Sequence, residues 1–203
     1  MRNRTLSTVS VLLWLTCRSV EGATPGVLLQ EDFRRPLAAD WHWGLGTWTA
    51  KNGVLRGFES GPRRHGPVKV RRFRIANAVL EVEFRLERGA RFVGIGFNGA
   101  PERGHVVALV MARDAVRIIG HPAKGESLDL LREANTLAVG RWHRVRIDLR
   151  GETLTARLND KTYQARHKCI AEEKLTFSLG GDSGGPTGES AGALEFRNLR
   201  ITE

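Results

Sequence analysis

Residues 78–86 alternate without a break: Ala78, Leu80, Val82, Phe84 and Leu86 fall on one side, Val79, Glu81, Glu83 and Arg85 on the other. A period of two marks a β-strand with one buried face, because successive side chains point to opposite sides of the pleat. Residues 142–149 repeat the pattern, with His143, Val145, Ile147 and Leu149 opposite Trp142, Arg144, Arg146 and Asp148. Shorter runs predict strands at 27–33, 67–75, 91–97, 105–112, 115–119, 154–158, 174–179 and 193–201. Asn52-Gly53, between 47–49 and 54–55, predicts a two-residue hairpin, because both turn positions need positive φ. Turn residues at 98–101, 113–114, 151–152 and 159–160 separate further runs. The stretch 124–134 reads as a helical turn and 180–192 as a flexible glycine-rich loop.

So many short strands close best as two stacked antiparallel sheets, which protects edges better than one open sheet. The expected fold is therefore all-β, a jelly-roll sandwich. With 203 residues the chain suits one such domain, at 24–203, behind an export signal at 1–23. Arg2 and Arg4 give that signal a positive start, residues 9–15 a short apolar stretch, and Gly22 and Ala23 a small-residue cleavage site. The apolar stretch is shorter than the roughly 20 residues a bilayer-spanning helix needs, so no membrane span is expected. A secreted or periplasmic location follows. Cys17 lacks the small preceding residue of a lipobox, which leaves lipidation as the lesser alternative.

Charge and cysteine content narrow the picture. The chain carries a formal net charge of +10; cleavage after Ala23 removes three arginines and one glutamate and leaves +8. A basic surface suits acidic polymers, but arginines scattered along the whole chain read first as an ordinary solvated surface. Cys169 would be the single cysteine of the mature chain, which excludes an intramolecular disulfide. Export and the lack of a recognition motif argue against a nucleic-acid partner.

Four features could carry chemistry. Gly181-Asp182-Ser183-Gly184-Gly185-Pro186 spells the nucleophile motif of chymotrypsin-like serine proteases, with Ser183 as nucleophile. That chemistry needs a histidine base, which those proteases carry in a Thr-Ala-Ala-His-Cys setting that none of the six histidines here matches. Glu81 and Glu83 share one strand face with Cα atoms about 6.5–7 Å apart, a spacing from which carboxyl groups can reach the separation of a retaining glycosidase. Laminarinase-type sandwich glycosidases use a Glu-x-Asp-x-Glu strand; here Arg85 stands in the last acidic position, so cross-strand Glu–Arg pairing is the simpler reading. Trp41 and Trp43 flank His42 in an expected loop and could be exposed, whereas Trp48 and Trp142 sit in strand patterns that suit structural anchors. The histidines show no metal-ligand spacing, although His65 and His105 stand at turn or strand edges where an acid or base could work.

Several landmarks fall in a telling order: Glu31-Asp32-Phe33, Trp41, Gly46-Thr47-Trp48, residues 52–57 (Asn-Gly-Val-Leu-Arg-Gly), residues 80–84, Gly140-Arg141-Trp142-His143, and the closing Phe196-Arg197-Asn198-Leu199. This order resembles the 3-keto-disaccharide hydrolase-like domains of the concanavalin A-like lectin/glucanase superfamily, over nearly all of the mature chain. The resemblance implies a concave sheet that receives a saccharide, in an exported protein. It also implies carboxylates in an acidic strand that residues 91–97 and 104–110 lack.

The expected function is an exported, saccharide-interacting jelly roll, with ligand contacts at Trp48, His65, Glu81, Glu83 and His105. Its enzymatic form would hydrolyse a modified glycoside with His65, His105, Glu81 or Glu83 as the reacting groups. The alternative is a basic adhesion or envelope-interaction domain that binds acidic polymers without catalysis. Carbohydrate, including acidic polysaccharide, is the expected partner. No cofactor and no metal ligands are predicted, and calcium stays open because loop oxygens that bind it leave little trace in sequence.

Overall fold

The computed structural model describes residues 26–60, 65–182 and 192–203. The expected export signal, residues 1–23, and Ser183 lie outside the described residues. In chain order the strands are β1 (Val27–Glu31), β2 (Trp43–Leu45), β3 (Thr47–Lys51), β4 (Val54–Phe58), β5 (Val68–Ile75), β6 (Ala78–Leu86), β7 (Phe92–Asn98) and β8 (His105–Ala112). They continue with β9 (Ala115–Gly120), β10 (Leu128–Ala134), β11 (His143–Arg150), β12 (Thr153–Leu158), β13 (Lys161–Arg166), a 3₁₀ turn (Lys168–Ala171), β14 (Lys174–Asp182) and β15 (Leu194–Thr202). They form two antiparallel sheets. Sheet A runs β13-β12-β11-β6-β15-β4-β3, with β1 added on β15; sheet B runs β10-β9-β8-β7-β14-β5-β2.

The predicted alternation decides which side chains meet between the sheets. Leu80, Val82 and Phe84 of β6 lie opposite Ile147, Val145 and His143 of β11, so one row of inward positions crosses both strands. From sheet B, Val93, Ile95 and Phe97 of β7 and Phe177 and Leu179 of β14 supply the facing layer. Non-local pairs hold the centre of each sheet: β6 lies between β11 and β15, and β14 between β7 and β5. This is the jelly-roll sandwich expected from the sequence. Asn52 and Gly53 both adopt positive φ, 53° and 81°, as the hairpin between β3 and β4 demands.

Four expectations need correction. Residues 124–134 do not form a helical turn; Leu128–Ala134 is an edge strand paired with β9. A bulge between Asp129 and Leu131 sets Leu130 and Leu131 side by side against the core, which hides the period of two. The glycine-rich loop does not begin at residue 180, because Gly180, Gly181 and Asp182 continue β14 alongside Gly94, Val93 and Phe92. Trp41 is buried, at 4% exposure. Its ring meets Phe177 edge-on at 5.5 Å and lies under the Arg71 guanidinium, also at 5.5 Å, and Arg71 in turn pairs with Glu31. Finally, Trp43 lies on the short strand β2 rather than in a loop.

Two buried polar groups stand out in this core. Lys174 is fully enclosed and donates from Nζ to the carbonyls of Ile170 and Ala76; burial pushes its ammonium pKa down. Cys169 is likewise enclosed, which removes its sulfur from reach of a second chain, and burial raises its thiol pKa.

Phe84 sits at the centre of the inward row with no exposed surface. Phe84→Ala should cost about 3–5 kcal/mol, read as a lowered urea midpoint at unchanged slope.

Candidate functional site

The two outer faces of the sandwich differ in chemistry. On sheet A, outward residues of β6, β11 and β15 form a ladder of ion pairs. Arg146 reaches Glu81 at 3.1 Å, while Arg144 and Arg197 reach Glu83 at 3.4 and 2.7 Å. Arg85 pairs with Glu195, and Trp142 lies between Arg85 and Arg197, whose guanidinium carbons are 4.9 and 4.1 Å from its ring. Burial pushes the Glu83 carboxyl pKa up, but hydrogen bonds from Arg197, Asn198 and Arg144 outweigh it and hold the group below its ordinary value. Glu83 therefore serves as an ionised partner of arginine, and Glu81 is paired with Arg146. A proton-donating carboxyl would need the opposite shift.

Sheet B presents a groove. Register places Thr176 of β14 between Arg72 of β5 and Asn98 of β7, and Asn98 beside His105 of β8. One step along the strands, Val70, Ser178, Gly96 and Ala108 form the next row; a further step gives Val68, Gly180, Gly94 and Val110. Small residues at the middle of both rows leave the sheet floor open. Two hollows lie side by side here, of about 480 and 200 Å³. Trp43, 49% exposed, stands on the rim of the first with His42 and Pro101; His65, His105 and His121 line the second. No Asp or Glu lines either hollow among the described residues.

Local contacts fix the groove's polar groups. Asn98 donates from Nδ2 to Thr176 Oγ1 at 3.0 Å, which turns its Oδ1 toward His105 Nδ1, 2.7 Å away. His105 must therefore hold its proton on Nδ1, and its Nε2 remains for a ligand. The His121 ring lies 5.3 Å from that of His105, with its Nδ1 2.8 Å from Ser127 Oγ. Arg103 clamps the pair from below by donating to both histidine carbonyls while its Nε holds Glu172. Burial, with positive charge from His105 and Arg103, pushes the His121 pKa down. His65 is brought to the groove by Gly66, whose φ of +87° and close approach to β14 admit no side chain: an added Cβ would lie 2.0 Å from the Gly181 carbonyl.

The residues singled out in the sequence thus divide. His65 and His105 share the sheet B groove. Glu81 and Glu83 lie on the opposite outer face, a full sandwich away, so the four cannot serve one pocket. Trp48 is half-buried on the inner side of β3, stacked on Phe196 at 6.3 Å with its Nε1 donating to Leu45 O at 2.8 Å. Arg72, Asn98, Thr176, Ser178 and His121 escaped sequence reasoning. The spaced small residues Gly94, Gly96 and Ser178, Gly180 in otherwise apolar strands were the available signal.

The chain matches no known protein family and no curated protein. Its fold is shared with solved structures. The carbohydrate-binding module CBM66 from Bacillus subtilis is 13% identical, with a TM-score of 0.62 over 78% of this chain and 92% of that one. The Crh5 transglycosylase is 12% identical, TM-score 0.63, over 86% and 83%. The CBM2 module of the evolved Dit protein of Lactobacillus casei BL23 phage J-1 is 13% identical, TM-score 0.58, over 86% and 94%. At these identities the likeness shows the jelly-roll fold alone.

The lowered His121 pKa has a consequence for stability. An unfolded imidazole titrates near 6.5. Below that value the unfolded chain takes up the proton first, so stability is complete above about pH 6.5 and declines as pH falls toward the folded-state value. The urea midpoint should fall further between pH 7.5 and 5.5 in the native protein than in His121→Asn.

Proposed function

We propose that this is an exported saccharide-binding domain whose ligand lies in the sheet B groove. The observation that carries the reading is Trp43, exposed at the rim of an open sheet face beside the polar row Arg72, Thr176 and Asn98. A pyranose ring offers one apolar face and a fringe of hydroxyls. It therefore suits a flat aromatic surface next to fixed donors and acceptors. The small residues of the floor give it depth. Two of the structural neighbours are described as carbohydrate-binding modules and one as a transglycosylase, so this fold supports both binding and turnover of glycans.

Binding is favoured over hydrolysis by the chemistry of the lining. Glycoside hydrolysis of the common kind uses two carboxylates flanking the scissile bond. The described lining holds none, and the partner of His105 is the neutral Asn98 amide rather than a carboxylate that would make it a strong base. The resemblance to 3-keto-disaccharide hydrolase-like domains is accordingly read as descent without that acid chemistry. The alternative of a basic domain that binds by charge alone would use the outer face of sheet A. There Arg144, Arg146, Arg197 and Arg85 are already paired with Glu81, Glu83 and Glu195.

Two substitutions test the groove. Trp43→Ala should weaken binding of whichever oligosaccharide an array identifies by about fivefold or more, the loss of an aromatic contact worth about 1 kcal/mol. Gly94 has open space above it, with 4.0 Å to the nearest atoms an added Cβ would meet. Gly94→Leu should fill the groove and abolish binding while the melting temperature stays within a few degrees. Retained affinity in both variants would remove the groove from the account.

A further inference from the structure

Among the described residues the groove is lined by potential and permanent cations without a carboxylate to answer them. Arg72 stands at one end of the polar row and has no ion pair among the described residues, unlike Arg74 and Arg117 on strands of the same sheet and Arg91 and Arg103 beside them. His105 closes the other end. Three inter-strand steps of about 4.8 Å separate their Cα atoms, roughly 14 Å across the strands. Between them Thr176 and Asn98 present hydrogen-bonding side chains at consecutive registers. A second imidazole, His121, sits beside His105.

On the reading of this groove as a saccharide site, we propose that its ligand is an acidic saccharide, carrying carboxylates that meet Arg72 at one end and the His105–His121 pair at the other, and that it is held more tightly as pH falls.

The hydrogen bonds of the pair give this its mechanism. The His105 Nδ1 proton is committed to Asn98 Oδ1, so a second proton enters at Nε2, the edge left for a ligand, and adds a charge and a donor together. The groups that face the pair are known from every side. The 99–104 turn contributes Arg103, whose guanidinium sits beneath both carbonyls. Glu172 faces Arg103 and is occupied by it; Asn98 and Ser127 are neutral; Cys169 carries a raised thiol pKa and stays neutral. Glu102, Lys124 and Glu126 complete the charged groups of the adjoining turns, and the His65 imidazole faces the pair from the same hollow. In the empty groove Arg103 and the two imidazoles oppose one another's charge, as the lowered His121 pKa reflects. A bound carboxylate supplies the missing counter-charge, so proton uptake and ligand binding favour each other. A sugar carboxylate, with an ordinary carboxyl pKa of about 4, stays ionised across the range in which imidazole titrates.

The test is calorimetric titration of the folded domain at pH 5.5 and 7.5. Its ligands are oligogalacturonates, oligomannuronates and oligoglucuronates, each paired with its methyl ester, which keeps the skeleton and removes the charge. A uronate series should bind about five- to tenfold more tightly at pH 5.5, and its ester weakly and without pH dependence. The double variant His105→Gln, His121→Asn should lose most of the gain at pH 5.5, and Arg72→Gln should weaken uronates at both pH values. Salt should weaken the uronates without abolishing them, because pocket contacts persist. Esters that bind as well as uronates, with no effect of pH, would overturn the charge inference and leave the saccharide groove standing. Binding by neither kind would overturn both.

Discussion

Everything in this molecule depends on the burial of two alternating faces against each other. Each central strand gives every second side chain to the layer between the sheets, where Phe84, Val145, Phe196, Ile95, Phe97 and Phe177 are wholly enclosed. Because the side-chain period is two, a slip of one residue would turn each of these outward, so register is fixed by the core. The same constraint dictates which residues remain outside. Arg72, Thr176, Asn98 and His105 come from four strands, of which only β7 and β8 are neighbours in sequence, and they form a row only because their inward neighbours are locked.

The outer faces then take different roles. On sheet A, large charged residues stand opposite one another, and Arg85, Arg144, Arg146 and Arg197 each pair with a glutamate of a neighbouring strand. Exposed pairs of this kind contribute little stability individually, but they keep the face solvated and its charges satisfied. On sheet B, glycine, alanine and serine occupy corresponding outward positions, so the face is lowered in the middle while Trp43 and the histidines rise at its margins. Glycine weakens a strand, and at Gly180 the close approach of the Pro67 carbonyl leaves no room for a Cβ, whereas Gly94 has open space above it. The charged ladder and the open floor thus give the sandwich two chemically different outer faces.

Much of this was legible in the chain. The uninterrupted alternation at 78–86 and 142–149 identified the two strands that pair at the heart of sheet A, and Asn52-Gly53 announced its hairpin. The edge strand at 128–134 was obscured because its bulge places two leucines in succession, which breaks the period. The candidate site was only half visible. His65 and His105 could be suspected from turns and strand ends, but Glu81 and Glu83 share a strand face that points away from them, and a linear sequence does not say which sheet a strand will join. Trp41 and Trp43, two residues apart, look alike in sequence. One is enclosed under Arg71 and the other stands at the groove rim, a difference set by the distant strands β5 and β14.

The central claim is that sheet B, and not sheet A, receives the ligand. The most direct measurement is a map of backbone amide chemical shifts during titration with a bound oligosaccharide. The account predicts changes concentrated at β5, β7, β8 and β14, with the Trp43 indole and the His105 and His121 rings among the largest. Changes centred on Glu81, Glu83 and Arg144 to Arg146, with β7 and β14 unmoved, would contradict it.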